Sequence, residues 1–312
     1  MRIIFAGTPD FAIPSLQMLL TSKELAGKHQ VCAVYTQPDR PVGRGRKLQP
    51  SPVKELALSA GIPVFQPQSL KTDAELRQFS DLQPDLMIVV AYGMILPQAI
   101  LDIPKYGCLN VHGSLLPRWR GAAPIQRALM AGDKTTGITI MRIALKLDAG
   151  DMLHKEEYAI SDTDTSADLF LHLSKLGATG LEKVIVQLES GTLKAEKQDE
   201  TLVTHAEKLT KTEAELDWTQ PAEELDRKIR GLNPWPVAQT LYKDNILRIW
   251  RAMPIKYDQN PDPGTVISTA KSLDVATGNG LLRLLEVQMP GGKKLPIQAF
   301  LNSHQCQGVK LG

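Results

Sequence analysis

Met1–Leu20, MRIIFAGTPDFAIPSLQMLL, sets the fold class. Arg2–Ala6 is a compact apolar run that stops at Gly7, the pattern of a buried strand. Thr8 then suits an N-cap and Pro9 a first helical position. Phe11–Leu20 carries apolar residues at helical spacing. Outward from this strand–turn–helix unit the alternation repeats. Strands are expected at Gln30–Thr36, Pro63–Phe65, Leu86–Ala91, Cys108–His112 and Gly137–Ile143. Helices are expected at Pro52–Ala60, Ala74–Leu82 and Ala122–Ala131, with a long amphipathic one at Asp164–Leu188. Strands alternating with helices predict an α/β, Rossmann-like, doubly wound and mostly parallel sheet.

Composition shifts after Gly191. A polar, aperiodic stretch follows, and it reads as a linker over 191–207. The expected division is a catalytic domain at 1–190, this linker, and a smaller domain at 208–312. In the last segment one helix is expected at Ala222–Gly231. Short strands are expected at Val237–Tyr242, Ile246–Ala252, Gly264–Ile267, Leu273–Ala276 and Leu281–Gln288. Strands of this length and spacing predict an OB-like β-barrel.

The chain has 312 residues, 43% of them hydrophobic and 22% charged, which excludes a disordered or collagen-like chain. It has no run of about 18 apolar residues, so no membrane helix is expected. The N-terminal apolar run is too short for a signal peptide. Three scattered cysteines, Cys32, Cys108 and Cys306, suit a reducing cytosol and offer neither a disulfide framework nor a zinc site. No feature demands a dimer, so a monomer is expected. The net charge of +2 excludes a uniformly basic coat. It leaves room for local clusters, and Pro38–Leu48 holds Arg40, Arg44, Arg46 and Lys47 against Asp39 alone.

The turn Gly7-Thr8-Pro9-Asp10 lacks the Gly-x-Gly-x-x-Gly of dinucleotide enzymes, and the chain has no P-loop. The stretch Cys108–Gln126, CLNVHGSLLPRWRGAAPIQ, says more. Asn110 and His112 are two apart on a strand and face the same way. They sit at its carboxyl end, where open α/β sheets bind ligands. Two polar residues on a strand expected between helices are costly without partners. Spacing alone leaves open a hydrogen-bonded structural pair and a functional one. Asp148, after the strand Gly137–Ile143, is placed to orient His112, or else is a turn residue.

Those residues, with FAGTPDF, QPDRPVGRG, SPVK, VVAYGMILP, LDAGDM and NPWP, resemble the methionyl-tRNA formyltransferases. That group is a branch of the formyltetrahydrofolate-dependent formyltransferases, and the resemblance runs through nearly the whole chain. It implies a Rossmann-like catalytic domain and an OB-like C-terminal domain. It also implies formyl transfer from 10-formyltetrahydrofolate to the α-amino group of methionine on initiator tRNA, in the cytoplasm. The implied catalytic trio is Asn110, His112 and Asp148. The implied folate residues are Tyr92, Met94, Ile95 and Leu96, with Ser114, Leu115, Leu116 and Pro117. The basic insertion carries Arg40, Arg44, Arg46 and Lys47 toward the tRNA. Lys146 departs from the family, which usually has Gly before Leu-Asp. An amino-sugar formyltransferase and a formyltetrahydrofolate hydrolase are the alternatives, and neither acceptor has a use for that basic insertion. A non-catalytic tRNA-binding module is a third, and Asn110, His112 and Asp148 together argue against it.

Formyl transfer is an acyl transfer through a tetrahedral oxyanion, so it needs hydrogen-bond donors and a proton shuttle near neutral pH. Asn110 supplies an amide donor, His112 the shuttle, and Asp148 a carboxylate to hold it. No metal is required. The C-terminal segment from Ala206 has 14 Lys and Arg against 12 Asp and Glu, which does not by itself make a nucleic-acid surface. Lys208, Lys211, Lys243, Arg248, Lys293 and Lys294 are the candidate contacts there. Trp235, in Asn233-Pro234-Trp235-Pro236, is expected to be a packing anchor.

Overall fold

The structure is a computed structural model that describes residues 1–42, 47–259, 261–268 and 271–312. It divides into two compact units. One is 1–121, 135–158 and 170–205; the other is 122–134, 159–169 and 206–312.

In the first unit the strands are β1 (Arg2–Gly7), β2 (Gln30–Tyr35), β3 (Val64–Phe65), β4 (Leu86–Val90), β5 (Cys108–His112), β6 (Thr135–Arg142) and β7 (Met152–Ala159). They form one sheet in the order β7-β6-β5-β4-β1-β2-β3. β1 pairs in parallel with β2 and β4, and β4 with β5, as a doubly wound sheet requires. Ile3, Ile4, Phe5, Met87 and Ile88 are all fully buried, which is why these strands read as continuous apolar runs. The helices are α1 (Ile13–Thr21), α2 (Pro52–Ser59), α3 (Asp73–Asp81), α4 (Pro124–Ala131) and α5 (Ser166–Glu189). α2 begins where Ser51 accepts from the Lys54 amide and Pro52 enters the first turn. α3 begins with a capping box between Thr72 and Glu75.

Two expectations are corrected, at Thr8 and Trp235, and two features add to the reading, the antiparallel β6 and the strand β7. Thr8 is no N-cap: its hydroxyl donates to the Tyr92 carbonyl, 3.1 Å away, and a 3-10 turn at Asp10–Ala12 precedes α1. The tertiary partner outcompetes the local one. β6 runs antiparallel to β5, pairing Asn110 with Met141 and His112 with Thr139. The helix between them in sequence, α4, groups with the second unit. Strand β7 was not foreseen, although its last six residues alternate between half-buried and exposed as an outer strand should. Trp235 is 49% exposed and is not a buried packing anchor. The anchors of that turn are buried Leu232 and Val237, and the Asn233 carbonyl, which accepts from Ser166.

The second unit holds α6 (Ala222–Gly231) and β8 (Ala238–Tyr242), β9 (Asn245–Ile255), β10 (Val266–Ser268), β11 (Leu273–Ala276), β12 (Leu281–Gln288) and β13 (Leu295–Pro296). The sheet order is β8-β9-β12-β11-β10, with β13 on β12. This is a curled antiparallel sheet, a half-barrel, rather than a fully closed barrel. The C-terminal tail spans its two ends. The Val309 carbonyl accepts from Val266 beside β11, and the Gly312 amide donates to Leu241 on β8. Ile229 of α6 is fully buried with Leu247, Val275, Leu284 and Phe300. Ile229→Ala is expected to cost about 2–5 kcal/mol of stability. Denaturant unfolding checks this, and a change below about 1 kcal/mol would contradict the packing.

Candidate active site

β5 positions Asn110 and His112. The intervening Val111 faces α5, where Gly177 allows the approach: a Cβ there would lie 2.7 Å from Val111 Cγ1. The opposite face of β5 is therefore free of α5, and Cys108, Asn110 and His112 line it. His112 is 5% exposed. Its Nε2 lies 2.9 Å from the Trp119 carbonyl, and its Nδ1 lies 3.7 Å from Asp148 Oδ2. A carbonyl only accepts, so Nε2 carries the proton in this arrangement. Nδ1 then presents a proton to Asp148 only as imidazolium. The Asn110 amide is half-buried and makes no hydrogen bond among the described residues. Its donors are available to a substrate oxygen.

Asp148 comes from a turn that leaves β6 at the amino end of β5, not at its carboxyl end, because β6 is antiparallel. The turn brings it back to His112 even so. Asp148 has φ +49°, a left-handed conformation costly for a non-glycine residue. Trp119, whose carbonyl holds His112, has φ +65°. Strain at both supports of one imidazole is the pattern of a built site. Asp148 Oδ2 accepts from the Gly121 amide at 3.0 Å. The Asp148 and Gly150 carbonyls each accept from Gln198 Nε2 at 2.8 Å.

Gln198 was read as part of a polar linker. It is fastened instead. Its Oε1 accepts from Nε of Arg120, a fully buried arginine. Arg120 also reaches Glu200 at 2.8 Å, and Lys146 reaches the same carboxylate at 2.6 Å. The Arg120 bond first, then the Lys146 bond, hold the Glu200 carboxyl down to about 2. Its folded-state value is depressed, so its contribution is complete above its ordinary 4.5 and is lost only as pH falls through about 2. The Lys146 tether is thus independent of pH across the neutral range.

The other expected site residues divide. Tyr92, Leu96 and Leu116 are core residues; Tyr92 packs beside Tyr35 and Phe79. Ser114 is fully buried, and its hydroxyl donates to the Arg118 carbonyl at 2.6 Å. Leu115 and Pro117 are half-buried, as is Met94, while Ile95 is 83% exposed. Arg40 lies in the strand Arg40–Val42, which pairs with Lys47–Gln49. Its guanidinium donates to Gln37. Arg44 and Arg46 lie outside the described residues, as does the side chain of Lys47. At the foot of this hairpin Asp39 is paired with Lys54 at 2.7 Å and accepts from Gln66.

A cavity of about 370 Å³ lies at the amino end of β5, lined by Gln98, Leu101, Asp102, Cys108, Arg142, Ile143 and Leu145 among others. Cys108, which lines this cavity, shares a strand face with Asn110. Sequence reasoning missed it. Of its apolar lining residues, Leu145 is strongly exposed beside Lys146. Burial, then Asp102, pushes the Cys108 thiol up to about 12. An alkylating reagent at pH 8 is therefore expected to leave Cys108 unmodified in the native protein and to label it on unfolding. Rapid native labelling would contradict this placement.

Comparison with known proteins decides the family. Residues 1–185 match the formyl transferase family, and residues 208–305 match the formyl transferase C-terminal domain. The chain belongs to the formyl transferase family. It is 53% identical to the methionyl-tRNA formyltransferase of Methylococcus capsulatus, over the full length of both chains. Among solved structures, this formyltransferase resembles an N-formyltransferase from Helicobacter canadensis, bound to folinic acid and dTDP-3-aminofucose. The TM-score is 0.67 at 15% identity, covering 95% of this chain and all of that one. It also resembles HypX from Aquifex aeolicus in complex with tetrahydrofolic acid, with TM-score 0.62 and 18% identity over 97% of this chain. The formyltransferase spans about half of HypX, 47% of that chain. Among its described residues no His, Cys, Asp and Glu group could hold a metal, and no helix is long and apolar enough to cross a membrane.

Proposed function

We propose that the chain transfers the formyl group of 10-formyltetrahydrofolate to the α-amino group of methionine on initiator methionyl-tRNA. The full-length 53% identity to a methionyl-tRNA formyltransferase carries the proposal. The site supplies the chemistry. The neutral amine attacks the formyl carbon, and the carbonyl oxygen becomes an oxyanion. The unbonded Asn110 amide donates to that oxygen. His112 takes the proton lost by the amine and returns one to the departing folate nitrogen, and Asp148 holds the imidazole during the exchange. No atom is left over: the new C–N bond forms to methionine, and the bond to folate N10 breaks.

The folate ring fits the cavity beside Cys108. Leu101, Ile143 and Leu145 give it apolar walls, and Arg142 and Asp102 give it polar ends. This replaces Ser114 and Leu116, which are committed elsewhere, as direct contacts. The acceptor end of the tRNA meets the basic segment of the sequence that carries Arg40, Arg44, Arg46 and Lys47. The sequence divides into a catalytic part at 1–190, a connecting segment at 191–207 and a tRNA-binding part at 208–312. The protein works as a cytosolic monomer.

If phosphate contacts dominate, tRNA affinity falls steeply with salt. Replacing Arg40, Arg44, Arg46 and Lys47 by Gln is expected to flatten that dependence by about one unit of slope per lost phosphate contact. An unchanged slope would remove the hairpin from the interface. Turnover with initiator methionyl-tRNA, with a nucleotide-linked amino sugar and with water separates the three acceptor readings. Only the tRNA is expected to be formylated.

A further inference from the structure

The connecting segment after α5 carries the strongest unexplained observation: it reaches into both supports of the proposed catalytic pair. Gln198 bridges two elements distant in sequence. Its amide nitrogen donates to the carbonyls of Asp148 and Gly150, both at 2.8 Å, and its amide oxygen accepts from Arg120 at 2.9 Å. Two residues of one turn and the arginine next to Trp119 thus meet on one side chain. Six residues further on, Thr204 accepts the Trp119 amide on its hydroxyl and the Arg120 amide on its carbonyl, both at 2.9 Å. The Trp119 carbonyl in turn holds His112 Nε2. One strap therefore sets the position of His112 through Trp119 and that of Asp148 through its own backbone.

We infer that Gln198 is a positioning residue, which locks the left-handed Asp148 turn against Arg120 and so fixes the carboxylate opposite His112. The physical need is specific. Asp148 sits at φ +49°, where an L-residue is held only by surrounding bonds. Its side chain has one bond to the protein backbone, from Gly121, and its Nδ1 partner stands 3.7 Å away. At that separation a small drift of the turn decides whether the carboxylate meets the imidazole. Only an amide side chain donates to two carbonyls and accepts from a guanidinium at once. Arg120 is buried, with Nε committed to Gln198 and Nη2 to Glu200, so the bond to Gln198 is one of two that hold its guanidinium in place. Lys146 adds a tether on the outer side through Glu200.

This inference rests on Asp148 acting in the reaction, and the test separates the two. Gln198→Glu keeps the volume and the acceptor for Arg120 but loses both N–H donations. Gln198→Met keeps the volume and loses all three bonds. Each is expected to lower kcat about 10- to 100-fold, with KM for folate and for tRNA within about twofold of the wild type. Asp148→Asn lowers kcat by itself, and Gln198→Glu added to it is expected to cost no more than about twofold further. A general loss of structure would raise KM, lower thermal stability and multiply in the double variant. Full activity of Gln198→Glu, or multiplicative losses in the double variant, overturns the inference. Full activity of Asp148→Asn instead overturns the catalytic reading on which it rests. If Gln198→Met unfolds, the Glu variant, which retains the Arg120 bond, decides.

Discussion

His112→Ala is expected to lower the rate of formyl transfer by about 10²- to 10⁴-fold while leaving tRNA affinity unchanged. The imidazole shares the row of β5 that carries Asn110, and its half-buried partner Asp148 stands 3.7 Å from Nδ1. Removing it leaves the amine no local base and the departing folate nitrogen no local acid. Asn110→Ala removes an oxyanion donor and is expected to cost about 10²- to 10³-fold. Single-turnover rates at saturating folate check both, with tRNA binding measured separately. A His112→Ala protein of full activity would mean that protons are handled elsewhere. Equal loss of binding and rate would mean that His112 holds structure.

The second large effect is predicted at Gly150. A Cβ there would lie 1.8 Å from the Arg142 carbonyl oxygen and 2.8 Å from its carbon. Both are backbone atoms at the end of β6, so no side chain can swing aside. The Gly150 φ is compatible with alanine, which makes the penalty steric rather than conformational. Gly150→Ala must push the Asp148 turn away from β6, breaking the Arg142–Asp151 backbone bond of 2.9 Å or the Gln198 bond to Gly150. Overpacking of this kind costs about 1–3 kcal/mol. A displacement near 1 Å at Asp148 costs about 10²-fold in rate. The variant is expected to fold with lowered thermal stability and to lose about two orders of magnitude in kcat. A variant with wild-type kcat would show that the turn tolerates movement and that the position of Asp148 is not critical.

The sequence made legible those features that local patterning controls. Cys108–His112 and Ala222–Gly231 have the expected bounds because burial period and flanking turns agree there. The pairing of Asn110 with His112 followed from strand alternation alone. What tertiary contacts decide was not legible. Thr8 has the composition of an N-cap, but the Tyr92 carbonyl claims its hydroxyl. The mostly parallel pattern did not show which strand runs the other way: β6 pairs antiparallel with β5. Ser114 and Leu116 carry the family's motif but are buried, whereas the cavity beside Cys108 is lined by Arg142 and Leu145, residues whose proximity to Cys108 depends on that reversed strand. Gln198 had no signal at all: a polar residue in a polar segment shows its role only when its partners are in place.

The most direct measurement follows a labelled formyl carbon from 10-formyltetrahydrofolate, with charged initiator tRNA, a nucleotide-linked amino sugar and water present together. The account predicts catalytic appearance of label on the α-amino nitrogen of tRNA-borne methionine, abolished by His112→Ala. Label released as formate, or recovered on the sugar with the tRNA unmodified, would contradict it.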